Sequence, residues 1–175
     1  MRRNNLNISF KDFITISEGK KVGTLYHFTR LSSLLNMLPN FDLKSYQEYI
    51  SFTRNYNLIH PKHNNSFSLD YEIGDKRNVR IVIDGDKLSN KYKIKPYIDL
   101  ENGITRHHQE QEEIINSNSA NSANSVSIRG CIKEITIIQK DNNIREKILN
   151  RIQKLNKDNI KIVFVDSIRD IKRFK

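Results

Sequence analysis

The chain has 175 residues, a length that suits one domain with a single core and leaves no room for two enzymatic modules. Hydrophobic residues make up 37% of it and charged residues 29%, a polar balance that still exceeds that of disordered chains because isoleucine and leucine recur in patterned blocks. The single cysteine, Cys131, excludes an intramolecular disulfide and a cysteine zinc cluster.

The charge of the chain is strongly positive. Thirty Lys and Arg against 20 Asp and Glu give a formal net charge of +10, and residues 140–175 form a basic C-terminal region. The excess favours a polyanionic partner, since phosphate contacts and counterion release supply affinity without sequence readout. An A+T-rich genome, in which lysine codons are frequent, explains the positive charge equally well. No stretch has the length of a signal peptide or a membrane span, so we expect a soluble, cytoplasmic protein with no membrane partner.

The N-terminal half predicts strands around one helix. "GTLYHF", residues 23–28, has a glycine breaker followed by aromatic and apolar residues, which predicts a buried strand. Leucines at i, i+3, i+4 and i+7 then mark one helix face over 31–38, with Thr29 or Ser32 as its cap. "EYISFTRN", residues 48–55, alternates hydroxyl and apolar side chains, which predicts a half-buried strand.

Further elements follow along the chain. "NVRIVIDGD" predicts a strand that ends in a turn, and "YKIKPYI" an extended segment that its proline places at an edge. The polar residues 116–125 predict a mobile loop between paired strands. "CIKEITII" predicts a strand, residues 144–155 an amphipathic helix, and "IKIVFV" a last buried strand.

The order of these elements indicates the fold class. Strand, helix, several strands, helix and strand lack the regular alternation of a doubly wound fold. We therefore predict a single α+β domain over residues 1–175, with its core at about 22–166 and a mainly antiparallel, split sheet with flanking helices.

Three short stretches carry residues suited to chemistry. His27 lies at a strand end, just before a helix, where it can place a donor and an acceptor over a bound ribose together with a nearby hydroxyl. "ISFTRN" offers hydroxyls on one face of a strand. "QEQEEII", residues 109–115, is an acidic run that abuts two isoleucines, which restricts its movement. Taken singly, each stretch is more typical of a structural histidine, an ordinary strand or a solvated charge run.

In this order the three stretches resemble the ADP-ribosyltransferase superfamily and, within it, the DarT-like toxins that modify nucleic acids. The resemblance spans residues 24–138 and implies a split sheet around a cleft for NAD, with no metal. It implies that His27 hydrogen-bonds a ribose hydroxyl of NAD, with Thr29 beside the nucleotide. It also implies that Ser51 and Thr53 brace the nicotinamide pocket. Arg54 follows them directly and is a candidate bidentate donor to the pyrophosphate.

The resemblance further implies a catalytic glutamate at the end of a Glu-x-Glu or Gln-x-Glu pattern. Glu112 fits that position, and Glu110 and Glu113 stay open as alternatives. A carboxylate is needed there because the ribose becomes oxocarbenium-like as nicotinamide departs, and a fixed negative charge lowers that barrier.

The segment before this glutamate would select the acceptor in such an enzyme. Arg106, His107 and His108 are candidates for contacting a phosphate or a nucleobase. The resemblance and the charge together imply a nucleic-acid acceptor and a role as a toxin or in phage conflict, with an antitoxin or immunity protein as a candidate partner. The oligomeric state stays open.

Two other functions remain open, and one feature of the resemblance is missing from this sequence. Asp84, Asp86 and Lys87 at a strand end suit a metal-dependent nuclease, although their spacing is more typical of a turn and a helix cap. The basic C-terminal region suits a non-catalytic nucleic-acid-binding module. No tyrosine has the spacing of a nicotinamide partner, although three are available for stacking: Tyr71, Tyr92 and Tyr97.

Overall fold

The computed structural model describes residues 22–44, 49–54, 56, 77–96, 112–116, 125–155 and 158–174. The described elements, in chain order, are β1 (Thr24–Thr29), α1 (Leu31–Met37), β2 (Asp42–Lys44), β3 (Tyr49–Thr53), β4 (Val79–Asp84), α2 (Gly85–Ser89), β5 (Lys95–Pro96), β6 (Glu112–Asn116), β7 (Ser125–Ser127), β8 (Ile132–Ile138), α3 (Asn142–Leu155), β9 (Lys161–Val165) and a 3₁₀ turn at Ile168–Asp170.

Two sheets organise these strands. A seven-stranded sheet has the order β5-β6-β3-β1-β4-β8-β9, and β2 pairs with β7 in a separate two-stranded sheet. Every pairing is antiparallel except that of β8 with β9. The predicted α+β class with a mainly antiparallel sheet is confirmed. The short segment with Pro96 lies at the sheet edge, as expected, because proline has no N–H to donate to a ladder.

The alternation of side chains along the strands divides the core in two. Leu25 and Ile81 belong to the main cluster, which includes Leu34 of α1 and Ile152 of α3. The next residues along the strands, such as Tyr26, belong to a smaller cluster on the other face of the sheet. Among the described residues, no helix is long and apolar enough to cross a bilayer.

The start of α1 differs from the prediction. Neither Thr29 nor Ser32 caps the helix, because the residue at the N-cap position is Arg30, which makes no side-chain cap bond. The N–H of Leu31 instead donates to Oδ1 of Asn78, 3.1 Å away. A residue distant in sequence therefore satisfies the first turn, which no local pattern indicates.

Two predictions about strands are wrong in their tertiary detail. Strands β6 and β7 do not pair with each other, because β6 joins β3 and β7 joins β2, so the polar segment does not connect paired strands. Residues 117–124 of that segment lie outside the described residues. Strand β9 is not a fully buried strand: its apolar side chains are half-buried, and it runs parallel to β8 at the sheet edge.

Candidate functional site

Strands β1 and β3 bring the predicted histidine against the predicted hydroxyl strand. Nδ1 of His27 lies 3.1 Å from the carbonyl oxygen of Ser51. Because a carbonyl oxygen only accepts, Nδ1 carries the hydrogen and donates it. The imidazole also packs against the ring of Phe52, with centroids 5.9 Å apart and planes inclined by 57°. Phe52 is itself buried, at 1% exposed. The imidazole is therefore held by the Ser51 carbonyl and by the Phe52 ring.

The electrostatics around His27 keep its imidazole neutral. Burial lowers the pKa of His27 below its usual value, the charge of Arg77 lowers it further, and the bond to the Ser51 carbonyl opposes these effects without cancelling them. A neutral ring with its hydrogen on Nδ1 leaves a lone pair on Nε2. Nε2 is therefore a hydrogen-bond acceptor, which is the property required to bind a hydroxyl group.

The predicted hydroxyl residues occupy different places around this imidazole. Thr29 is half-buried at the end of β1 and pairs with Val79 of β4. Thr53 is 8% exposed and pairs with Tyr26 of β1. Because residues that pair across strands share a face, the side chain of Thr53 lies on the face of Tyr26, opposite to that of His27. The structure thus joins His27 to the backbone of Ser51 rather than to the hydroxyls.

The glutamates of the acidic run are placed by backbone pairing. Strand β6 lies beside β3, with Glu112 opposite Thr53 and Glu113 opposite Phe52. Both positions therefore lie two strands from β1, at the level of the His27 contact. In this register, position 113 falls on the sheet face that carries His27 and Phe52, and position 112 falls on the face that carries Thr53. Their selection as the catalytic group stays a prediction.

Arg54 is exposed and directed towards the start of β1. Its Nη1 donates to the carbonyl oxygen of Val22 at 2.7 Å. This bond orients the guanidinium. Its predicted contact with a pyrophosphate stays a prediction.

Several predicted residues lie outside the described residues: Arg106, His107, His108, Glu110, Tyr71 and Tyr97. Tyr92 is described, and it is 7% exposed. Its hydroxyl accepts a hydrogen bond from the backbone N–H of Ser127 at 3.0 Å, so Tyr92 fastens β7 to the core.

Two residues near His27 are not among the predicted site residues. In the sequence, Phe52 is one of the apolar residues that alternate along its strand, and in the structure it forms one wall of the imidazole site. Arg77 fell at the end of a polar stretch, yet its charge acts on His27. Its position just before β4, the strand that pairs with β1, was the available signal.

The acids suggested for a nuclease have structural partners. Oδ1 of Asp84 accepts from the N–H of Lys87 at 3.1 Å and caps α2, and Lys133 lies 3.5 Å from its other oxygen. Burial raises the pKa of Asp84, but the Lys87 N–H and the Lys133 charge outweigh it and lower the pKa overall. Asp86 accepts from the N–H of Gly23 at 3.0 Å. In the described part of the chain, no three His, Cys, Asp or Glu side chains are grouped to hold a metal ion.

Comparisons with known proteins were made by sequence and by structure. No family model matches the chain, and no curated protein matches it by sequence. Among solved structures, a DarT from Thermus sp. 2.9 in complex with NAD+ matches with a TM-score of 0.52 and 11% identity, over 85% of this chain and 98% of that chain.

The chain shares the fold of DarT. A second structure of the Thermus DarT, in complex with carba-NAD+, matches with a TM-score of 0.49 and 12% identity, over 83% of this chain and 96% of that one. The match to the NAD+ complex, with its TM-score of 0.52, confirms the resemblance drawn from the short motifs at the level of the DarT fold. At 11% identity, the match shows the fold and not the roles of individual residues.

Proposed function

We propose that this chain is an NAD-dependent ADP-ribosyltransferase whose acceptor is a nucleic acid. The observation that carries the proposal is the anchored, neutral imidazole of His27 on β1 of a DarT fold. Its Nδ1–H is used by Ser51, so Nε2 is left to accept a hydrogen bond. A structure with this fold is a complex with NAD+, which supplies ribose hydroxyls as natural donors.

The remaining roles are those that the resemblance implies, and the positions on β1 and β3 are compatible with them. His27 orients the nicotinamide ribose, with Thr29 near the nucleotide and Ser51 and Thr53 on the strand that supports the pocket. Arg54 is exposed, and its guanidinium suits a pyrophosphate because it can donate two parallel hydrogen bonds to phosphate oxygens. NAD is a co-substrate, and no metal takes part.

The resemblance assigns the negative charge in the proposed reaction to Glu112, and Glu113, whose position shares the sheet face of His27, is the alternative. The glycosidic C–N bond breaks, and nicotinamide leaves with the bonding electron pair. A nucleophile of the acceptor forms the new bond at the same sugar carbon and releases its proton to solvent. A carboxylate beside that carbon stabilises the positive charge between the two events.

A nucleic-acid acceptor is supported by the charge of +10 and by the basic residues Arg106, His107 and His108 ahead of the glutamate. The proposal extends to a role in the cytoplasm as a toxin or in phage conflict, with an antitoxin or immunity protein as partner. Both extensions rest on the resemblance to DarT-like toxins.

The experiment uses NAD labelled in its adenine moiety, so that the label follows ADP-ribose. The purified chain is incubated with this NAD and with DNA, RNA or protein, and compared with the variants Glu112→Gln, Glu113→Gln and His27→Ala. We expect label on nucleic acid with the wild type and with Glu113→Gln, and loss of at least about a hundredfold with Glu112→Gln.

The outcomes separate the alternatives. A loss confined to Glu113→Gln would reassign the catalytic group to its neighbour within the same enzyme. Retention of nucleic acid with neither label transfer nor nicotinamide release would overturn the enzyme in favour of a non-catalytic binding module. Activity that requires a divalent cation and cleaves the nucleic acid without NAD would favour the nuclease.

A further inference from the structure

Helix α3 carries basic side chains that take no part in the proposed nucleotide site. Lys147, Arg151 and Lys154 are all exposed, and no ion pair joins them to another residue in the described ranges. We call these three residues the basic stripe. The adjoining side of the helix, which begins at Ile148 about 60° around the axis from Arg151 and includes Ile152, is buried in the main core.

The spacing of the basic stripe aligns its charges. At about 100° per residue, the three side chains fall within about 60° of one another around the helix axis. At about 1.5 Å per residue, they extend along about 10 Å of that axis. Glu146, the single acid of α3, lies about 80° outside this sector. The result is a short row of positive charge without an interspersed acid.

Two acids near α3, Asp141 and Asp166, are engaged elsewhere. Oδ1 of Asp141 accepts from the N–H groups of Asn143 and Ile144, at 2.8 and 3.2 Å, and caps the helix. Asp166 pairs with Arg145 on another side of α3. Neither carboxylate neutralises the basic stripe, so its field is available to an anion.

An exposed apolar residue borders the basic stripe. Ile144 is 42% exposed, and it is the one large hydrophobic side chain among the described residues that is exposed rather than half-buried or buried. It lies about 20° from Arg151 around the helix. Cations beside an apolar side chain match the phosphate and sugar of a nucleic-acid backbone. The burial of Ile148 and Ile152 removes the apolar face that a membrane-binding helix would insert.

We infer that the basic stripe and Ile144 form a docking surface for the phosphate backbone of a nucleic acid. The surface operates without NAD and therefore goes beyond the proposed reaction. It holds the polymer by charge and independently of base sequence. In a transferase, it would raise the local concentration of the acceptor.

The test measures binding of a fluorescent single-stranded oligonucleotide over a range of salt concentrations, in the absence of NAD. The variant carries Lys147→Gln, Arg151→Gln and Lys154→Gln. A control with the same net charge carries three changes outside α3: Lys44→Gln, Lys87→Gln and Lys93→Gln. We expect the salt slope of the stripe variant to fall by about 2, since each phosphate contact contributes about 0.7 on a single strand, and its affinity to fall at least tenfold. The control should retain its affinity within about threefold.

Three results would overturn the inference. Equal losses in both triple variants would show that net charge, and not the basic stripe, holds the polymer. Unchanged binding in the stripe variant would exclude the surface. Loss of binding to anionic phospholipid vesicles, with nucleic-acid binding retained, would identify a membrane surface instead. Nicotinamide release from NAD alone should equal that of the wild type in the stripe variant, so failure of this surface is distinguishable from failure of the proposed reaction.

Discussion

Replacing His27 by asparagine separates the roles of the two imidazole nitrogens. The amide N–H₂ of asparagine lies roughly where Nδ1–H lies, so it can still donate to the Ser51 carbonyl, 3.1 Å from Nδ1 in the wild type. No atom of asparagine reaches the place of Nε2. Alanine removes both functions, and glutamine places an amide near Nε2 without restoring the Ser51 bond.

The magnitudes follow from the contacts in the structure. The tilted contact with Phe52 is worth about 0.5–1.5 kcal/mol, and the bond to Ser51 about 1 kcal/mol. We expect His27→Asn to lower the free energy of unfolding by about 1 kcal/mol and His27→Ala by about 2 kcal/mol. Loss of a bond from Nε2 to a ribose hydroxyl should weaken NAD binding by roughly threefold to tenfold in both variants.

Urea denaturation and calorimetric titration with NAD measure the two effects separately. A pH series adds a third observable. The pKa of His27 is lowered in the folded state, so below about pH 6.5 the unfolded state takes up the proton first. The free energy of unfolding of the wild type should therefore rise with pH up to about 6.5 and then level, and NAD binding should weaken at acid pH. His27→Asn should lose this component of the slope.

One result would refute the reasoning directly. If His27→Asn binds NAD as tightly as the wild type, with the same weakening at acid pH, then Nε2 accepts no hydrogen bond from the nucleotide. The variant His27→Gln serves as the matched control, since recovery of NAD binding there, without recovery of stability, would support the assignment of Nε2.

Two further predictions concern stability. Arg80→Met removes the guanidinium partner of the buried Glu134 carboxylate, which is 7% exposed, and leaves Lys161 as its remaining cationic partner. We expect the free energy of unfolding, measured in urea, to fall by about 3 kcal/mol. A fall of less than about 1 kcal/mol would contradict a structural role for the pair. Gly85→Ala places a Cβ atom 2.5 Å from the carbonyl oxygen of Gly23, so we expect a loss of about 1–3 kcal/mol, and a melting temperature equal to the wild type would contradict this close approach.

The elements themselves were predictable because hydrophobic periodicity is a local property. Strand β1, helix α1 and strand β8 lie where their patterns indicate, within a residue or two at their ends. The cap of α2 by Asp84 was likewise visible as a turn signal. The short strands β2 and β7 escaped because three residues offer too little pattern, and their pairing across distant parts of the chain carries no local signal.

The candidate site was predictable only in part. The sequence singled out His27 and its strand through a resemblance of short motifs. The contacts of the imidazole with the Ser51 carbonyl and the Phe52 ring carried no local signal, because they join residues more than twenty positions apart. The Arg80 guanidinium was likewise hidden: it donates to Thr136 at 2.8 Å and to the carbonyl of Lys172 at 2.8 Å, and thereby ties the C-terminal residues to the sheet.

By itself, the sequence determined the longer strands and helices, the α+β class and the basic character of α3, because side-chain period and charge are read along one dimension. Only the tertiary structure decided which nitrogen of His27 carries the hydrogen, which face receives Thr53, and which of the strands pair. These depend on residues more than twenty positions apart meeting at about 3 Å, a distance at which hydrogen-bond direction and burial act and sequence spacing does not.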